Sequence, residues 1–213
     1  MGQKRVLIFS GGDLHKQYLE EIRPSDFLIG ADRGALFLIE NNFTPDLAVG
    51  DFDSISPADL QNVKSRSKQL IDCDPIDKDL TDTELALDLA IKEQPDIILL
   101  MGVTGSRLDH TLANIQMMNR ALQHHISCAL LDRNNYLTLT GSSIDVQNRG
   151  FKYVSLLPMT PEVTGITLTG FQYPLDNATL KMGESLGISN QLTGSQGTIS
   201  VEGGLLLVIQ SND

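Results

Sequence analysis

Short apolar runs alternate with segments of helical period through the first part of the chain. Val6 to Phe9, Phe27 to Ile29, Leu47 to Val49, Gln69 to Ile71, Ile97 to Met101 and Ile126 to Leu131 have the length and aliphatic content of strands. Between them, Leu14 to Ile22, Arg33 to Asn41, Pro57 to Ser67, Thr81 to Glu93 and Leu112 to His124 carry apolar residues at amphipathic or buried helical spacing. Parallel strands need long crossover connections, so this alternation predicts βαβ units around a mostly parallel sheet with flanking helices.

From about Tyr136 the period changes. Tyr136 to Thr140, Ile144 to Val146, Tyr153 to Leu157, Gly165 to Thr169, Ala178 to Lys181, Gly197 to Val201 and Leu205 to Ile209 are short β-like runs separated by Gly, Pro, Asn and Ser. That texture predicts an all-β second domain, a sandwich or barrel. Asp132-Arg133-Asn134-Asn135 interrupts two apolar runs, which puts the domains at 1–134 and 135–213 with no repeat or low-complexity linker.

Composition narrows the partners. The 213 residues, 41% of them hydrophobic, suffice for a real core. A net charge of -11 argues against an electrostatic grip on nucleic acid or anionic lipid, both of which need clustered Lys and Arg. Cys73 and Cys128 are far apart, each in or beside a strand-like run, and read as reduced thiols of a cytoplasmic protein. Val6 to Phe9 is too short for a signal-peptide core or a membrane span.

The negative charge is concentrated. Asp72 to Glu84 reads DCDPIDKDLTDTE, six carboxylates against the single Lys78, and Gly50-Asp51-Phe52-Asp53-Ser54 lies upstream. Two unit charges about 4 Å apart repel by roughly 1 kcal/mol in water and about 4 kcal/mol at an effective dielectric near 20. Carboxylates converging on one cleft therefore require a cation, and Mg²⁺ suits hard oxygen ligands and bridges them to phosphates.

Four polar clusters follow predicted strands: Gly30 to Gly34, Gly50 to Ser54, the 72–84 segment, and Gly102 to His110. The carboxyl ends of an open parallel sheet form its ligand crevice, so four clusters at one edge predict a site. Asp51 and Asp53 reach one site only if the chain turns there, as Gly50 permits. They equally suit a turn before the next helix, with Ser54 or Ser56 as N-cap ahead of Pro57. Thr81 to Glu84 has the form of a capping box, with Thr81 as N-cap and Glu84 reaching back. Asp72, Asp74, Asp77 and Asp79 serve either a cation or a solvated loop, and Lys78 is placed to meet a phosphate.

In GVTGSRLDH the two glycines and Thr104 can aim backbone N–H groups at an anion, the following helix adds its positive end, and Arg107 offers a bidentate fork. The P-loop spacing is absent. Asp109 also suits the N-cap of that helix and His110 a plain first-turn position. Gly11-Gly12-Asp13 lacks the full dinucleotide fingerprint and reads as a tight strand-to-helix turn, with close approach to a nucleotide as the alternative. His15, His124 and His125 have no partner at metal-ligand spacing.

Taken in order, GADRG, TPDLAVGDFDS, DKDLTDTELAL, TGSRLDH and, in the second domain, LGISN followed by GTISVEGGLLLVI resemble the thiamin pyrophosphokinase family over nearly the whole chain. The resemblance implies a Mg²⁺-dependent cytoplasmic homodimer that transfers the diphosphate of ATP to the hydroxyl of thiamin, giving thiamin diphosphate and AMP. It implies that Asp51, Asp53 and Asp82, with Asp32 in the same acidic floor, organise Mg²⁺ and the phosphates and, with Arg107, the catalytic centre. It also implies nucleotide contacts from Asp32, Lys78, Thr104, Gly105, Arg107, Asp109 and His110. Ser189 and Asn190 match the thiamin-binding segment, with Asp82 also on the thiamin side, and the dimer sets one subunit's β-domain against the other's α/β cleft.

The chain departs from the pattern in having no Trp. Some family members stack an aromatic residue on thiamin. Phe171 and Tyr173 are the substitutes at hand, and both also suit the β-domain core. The Asp-x-Asp pair alone would fit a Mg²⁺-dependent phosphohydrolase, and the acidic site alone a nucleotide sensor without turnover.

Overall fold

A computed structural model describes residues 2–72 and 80–213, so Cys73, Asp74, Asp77, Lys78 and Asp79 lie outside the described residues. The chain divides into two compact units, Met1–Arg133 and Asn134–Asp213.

In the first unit, β1 (Arg5–Phe9), β2 (Phe27–Ala31), β3 (Leu47–Gly50), β4 (Gln69–Asp72), β5 (Ile97–Met101) and β6 (Ser127–Leu131) pair in parallel in the order β4-β3-β2-β1-β5-β6. β1 is buried throughout, whereas the edge strand β4 is largely exposed. Continuous apolar runs are what central strands covered on both faces require. From β1 the chain works outward through β2, β3 and β4, then crosses back to β5 on the other side. The carboxyl ends of β1 and β5 therefore flank a topological switch point, where open sheets leave a crevice.

Four helices supply the crossovers: α1 (Arg33–Glu40), α2 (Pro57–Arg66), α3 (Asp82–Lys92) and α4 (Leu108–Gln123). Ser56 caps α2 by accepting from Asp59 N–H, and Thr81 caps α3 by accepting from Glu84 N–H, each at 3.2 Å. Neither α1 nor α4 has a side-chain cap. The returning half of the expected capping box does not form. Glu84 instead accepts from Arg120 of α4, which also donates to Asp88 at 2.8 Å, because a guanidinium is a stronger, charge-assisted donor than a backbone N–H.

Two expectations shift. α4 begins at Leu108 rather than Leu112, so Asp109 lies in its first turn and Arg107 takes the cap position. The segment from Leu14 to Ile22 forms only a 3₁₀ helix, Lys16–Glu21. Pro24 and the Gly11-Gly12 loop leave it too short to nucleate an α-helix, and the buried Tyr18 pins it to the unit.

The second unit is a β-sandwich. β7 (Asn135–Thr140), β9 (Tyr153–Pro158) and β13 (Leu206–Ser211) pair antiparallel in the order β7-β13-β9. β8 (Ile144–Gln147), β10 (Glu162–Thr169), β11 (Ala178–Lys181) and β12 (Gln196–Ser200) form a sheet ordered β11-β10-β12-β8. Alternate residues of β9 are buried, and Val154 and Leu156 join Val163, Ile166, Leu168, Ile199 and Val208 in one core between the sheets. An α/β unit with a mostly parallel sheet, followed by a sandwich, is the architecture the hydrophobic pattern predicts.

Candidate active site

The chain turns after β3, as two aspartates serving one site require. Gly50 has φ 147° and Phe52 has φ 56°. The second value lies in the left-handed region, which costs a bulky residue about 1–3 kcal/mol. Phe52 is buried against Ala35, Ile39, Ala48 and Val63, and burial of its ring offsets that strain. With Phe52 turned inward, Asp51 and Asp53 come round to Asp32, and one carboxylate oxygen from each lies within 4.8 Å of the others.

Asp32 heads α1 at φ 50°. Its Oδ2 accepts from the Ser54 hydroxyl, and its Oδ1 is buried with no hydrogen-bond partner among the described residues. Burial pushes its carboxyl above the ordinary range; the Ser54 hydrogen bond opposes the rise, and the charges of Asp82 and Asp51 add to it. Asp82 stands beside this trio, its Oδ1 3.3 Å from where a Cβ on Gly50 would lie. The expected metal set was Asp51, Asp53 and Asp82; the three that close together are Asp32, Asp51 and Asp53.

Asp32 and Asp82 also line a cavity of about 800 Å³ at the switch point. The loop after β1 and the turn after β5 meet in its wall. Gly12 N–H donates to Gly102 O at 2.7 Å, and Asp13 N–H to Thr104 O at 2.9 Å. A Cβ on Gly12 would sit 2.4 Å from Thr104 O and 2.6 Å from Gly102 O, so the approach requires glycine. The N-cap residue of α4 makes no side-chain cap, so the positive end of the helix is open to an anion, while the His110 N–H meets the Asp109 carboxylate and the Thr111 N–H the Arg107 carbonyl.

The exposed Arg107 donates from Nε to Asp109 Oδ1 at 3.2 Å and from Nη2 to Asp109 Oδ2 at 2.5 Å. These bonds hold the Asp109 carboxyl down at about 2. The pair leaves Nη1 of the fork uncommitted. Thr104, Gly105, Arg107 and His110 line the cavity with Asp32 and Asp82, whereas Asp109 meets Arg107 and is not part of the lining. Lys78 lies outside the described residues.

In the second unit, Ser189 is exposed at φ 61° and its N–H donates to Ser155 Oγ at 3.0 Å. Asn190 is buried. Its Nδ2 donates to Tyr173 O at 2.7 Å, and its Oδ1 accepts from Tyr173 N–H at 3.0 Å and Gln191 N–H at 2.8 Å. The amide thus fastens the Tyr173 backbone. Phe171 belongs to the core, but the Tyr173 side chain is 59% exposed. The chain has left β10 by then, and strand alternation no longer directs the side chain inward.

Family models match both units: thiamin pyrophosphokinase, catalytic domain, over residues 18–130, and thiamin pyrophosphokinase, vitamin B1 binding domain, over residues 141–206. A thiamine pyrophosphokinase of Bacillus subtilis is 37% identical over 187 residues, which is 87% of this chain and 87% of that protein. The chain belongs to the thiamin pyrophosphokinase family. The crystal structure of a Bacillus subtilis thiamine pyrophosphokinase matches with a TM-score of 0.91 at 34% identity, covering 99% of this chain and 100% of the other. A thiamin pyrophosphokinase from Geobacillus thermodenitrificans matches at 0.88, with 34% identity and 98% coverage of each chain.

Ser10, Thr83 and Asn114 also line the cavity, and sequence reasoning missed all three. The hydroxyls of Ser10 and Thr83 share a buried hydrogen bond at 2.5 Å. Asn114 is buried on α4 in an otherwise apolar stripe with Met117, Met118 and Ala121. A polar residue within that stripe was the available signal. Cys128 is a free, buried thiol, and burial pushes it up to about 12, so it takes no part in chemistry near neutral pH.

Proposed function

We propose that this chain transfers the intact diphosphate of ATP to the hydroxyl of thiamin, giving thiamin diphosphate and AMP. The nucleotide is assigned to the first unit and thiamin to the second. One observation carries this reading: Asp32 lines the cavity beside the backbone turn suited to phosphate and also belongs, with Asp51 and Asp53 outside that lining, to the carboxylate trio suited to a cation. A site for a triphosphate with its counter-ion needs both halves.

Mg²⁺ fits the residues present. Three carboxylates supply hard oxygen donors, and the buried Asp32 Oδ1 has no hydrogen-bond partner among the described residues. Asp32, Asp51 and Asp53 would hold the ion with Asp82 beside them, and when bound it neutralises phosphate oxygens for in-line displacement.

The remaining work falls to the chain's own groups. The thiamin hydroxyl oxygen bonds to the β-phosphorus as the bond from that phosphorus to the α-bridging oxygen breaks, and AMP departs with that oxygen. N–H groups of the Gly102–Arg107 turn bind the phosphate oxygens in ground and transition states alike, and Arg107 and the positive end of α4 stabilise the charge that develops on them. The hydroxyl proton is assigned to Asp82, which lines the cavity. Asp109 is occupied by Arg107 and its depressed pKa makes it a poor base. On the acceptor side Asn190 holds the shape of its turn, while Ser189 and the exposed Tyr173 ring are the groups offered to thiamin.

No helix among the described residues is long and apolar enough to cross a membrane. A cytoplasmic homodimer with sites between subunits is proposed on the family resemblance, and sedimentation equilibrium should return the mass of two chains. The activity itself is tested by incubating purified protein with ATP, Mg²⁺ and thiamin and resolving the products. Equal amounts of thiamin diphosphate and AMP are expected. Phosphate release without thiamin would indicate a hydrolase, binding without turnover a sensor, and absence of thiamin diphosphate would sink the proposal.

A further inference from the structure

The turn after β5 has three successive carbonyls tied back. Gly12 N–H takes the Gly102 carbonyl, Asp13 N–H takes that of Thr104, and between them the Val103 carbonyl accepts from Asn114 Nδ2 at 2.6 Å. In a trans peptide the carbonyl and the next residue's N–H point in opposite directions. Anchoring these three oxygens therefore sets the directions of the N–H groups of Val103, Thr104 and Gly105. No backbone carbonyl among the described residues accepts from those groups, and all three residues line the cavity. Two of the ties come from backbone, and one rests on a side chain.

Asn114 is 7% exposed. A buried amide without a partner would be costly at that position, and the partner it has is this turn. We propose that Asn114 is a positioning residue for the phosphates of the nucleotide: by holding the Val103 carbonyl it aims the Thr104 N–H at a phosphate oxygen. It also keeps the negative end of that carbonyl from turning toward the phosphate. The inference rests on the nucleotide-binding reading of the cavity given above.

Asn114→Asp keeps the size of the side chain, removes the N–H donor and adds a negative charge. Its KM for ATP should rise by roughly tenfold or more, while the KM for thiamin and kcat at saturating ATP stay within about twofold, as loss of an interaction common to ground and transition states requires. The uncharged Asn114→Ala should raise the KM for ATP by about threefold, and the Kd for ATP without thiamin should follow the same order. In the wild-type protein the Thr104 and Gly105 amide resonances should shift on addition of ATP.

A lowered Tm with an unchanged KM for ATP would reduce Asn114 to a structural tie, and equal rises in both KM values would also overturn the proposal. Unmoved Thr104 and Gly105 amides would overturn it even if neither variant folds. A wild-type protein that makes no thiamin diphosphate, yet shows ATP-dependent shifts at Thr104, would discard the reaction and retain the turn.

Discussion

The α/β unit and the sandwich hold their candidate residues by different means. Parallel strands all end at one edge, so Asp32, Asp51, Asp82 and the Gly102–Arg107 turn reach one region from segments far apart in sequence. Antiparallel strands send loops to both ends, and the turn bearing Ser189 is held in part by the side chain of Asn190 on the Tyr173 backbone. The first site is a product of topology, with its function divided among several segments. The second is shaped within its own unit, by the Asn190 amide together with the Ser189 bond to Ser155 and the backbone pairing of Asn190 with Val154.

The sharpest test of that contrast is Asp53→Asn. The side chain is exposed, so the fold should survive while turnover falls by about 100-fold or more, read as thiamin diphosphate formation with circular dichroism as control. Wild-type turnover would remove Asp53 from the mechanism and break the picture of a shared acidic site. Gly12→Ala should come next, because its Cβ meets two backbone oxygens that cannot step aside. We expect a loss of about 2 kcal/mol in denaturant unfolding and a KM for ATP raised by about tenfold. A change confined to the KM for thiamin would contradict the placement of that loop at the nucleotide.

Asn190→Ala removes the three hydrogen bonds described above, and should cost roughly 1–3 kcal/mol. It should raise the KM for thiamin more than that for ATP, and equal effects would oppose the division of labour between the units. The smallest effect concerns the Arg107–Asp109 pair. A depressed carboxylate pKa gives a contribution present above the unfolded value near 3.9 and lost as pH falls through the folded value of about 2. Carboxyl-carbon NMR should follow Asp109 titrating near 2 in the wild type and returning toward the ordinary range in Arg107→Ala.

Elements were legible where one local signal dominated. The apolar run of β1, Pro57 behind Ser56 and Thr81 ahead of Asp82 each announce a boundary through period or capping chemistry. Site geometry was legible only in part. The entry of Asp32 into the acidic trio depends on φ 50° at that residue and on the left-handed turn at Phe52, neither of which is encoded by spacing. Asn114 and Ser10 escaped notice because a helical or strand period shows that a face is buried without showing which loop lies against it. The resemblance marked Ser189 and Asn190 as a pair, but the structure separates them into an exposed residue and a buried tie, a distinction that turns on where residues 171–173 run.

Arg120 gives the α/β unit a mechanical property. By pairing with Glu84 and Asp88 it couples α4 to α3, and the starts of both helices border the same cavity. Sliding either helix past the other would break a two-pronged link, so this part of the wall is set before a ligand arrives. A ligand entering there has only side chains and loops left to order, which lowers the entropic penalty of binding.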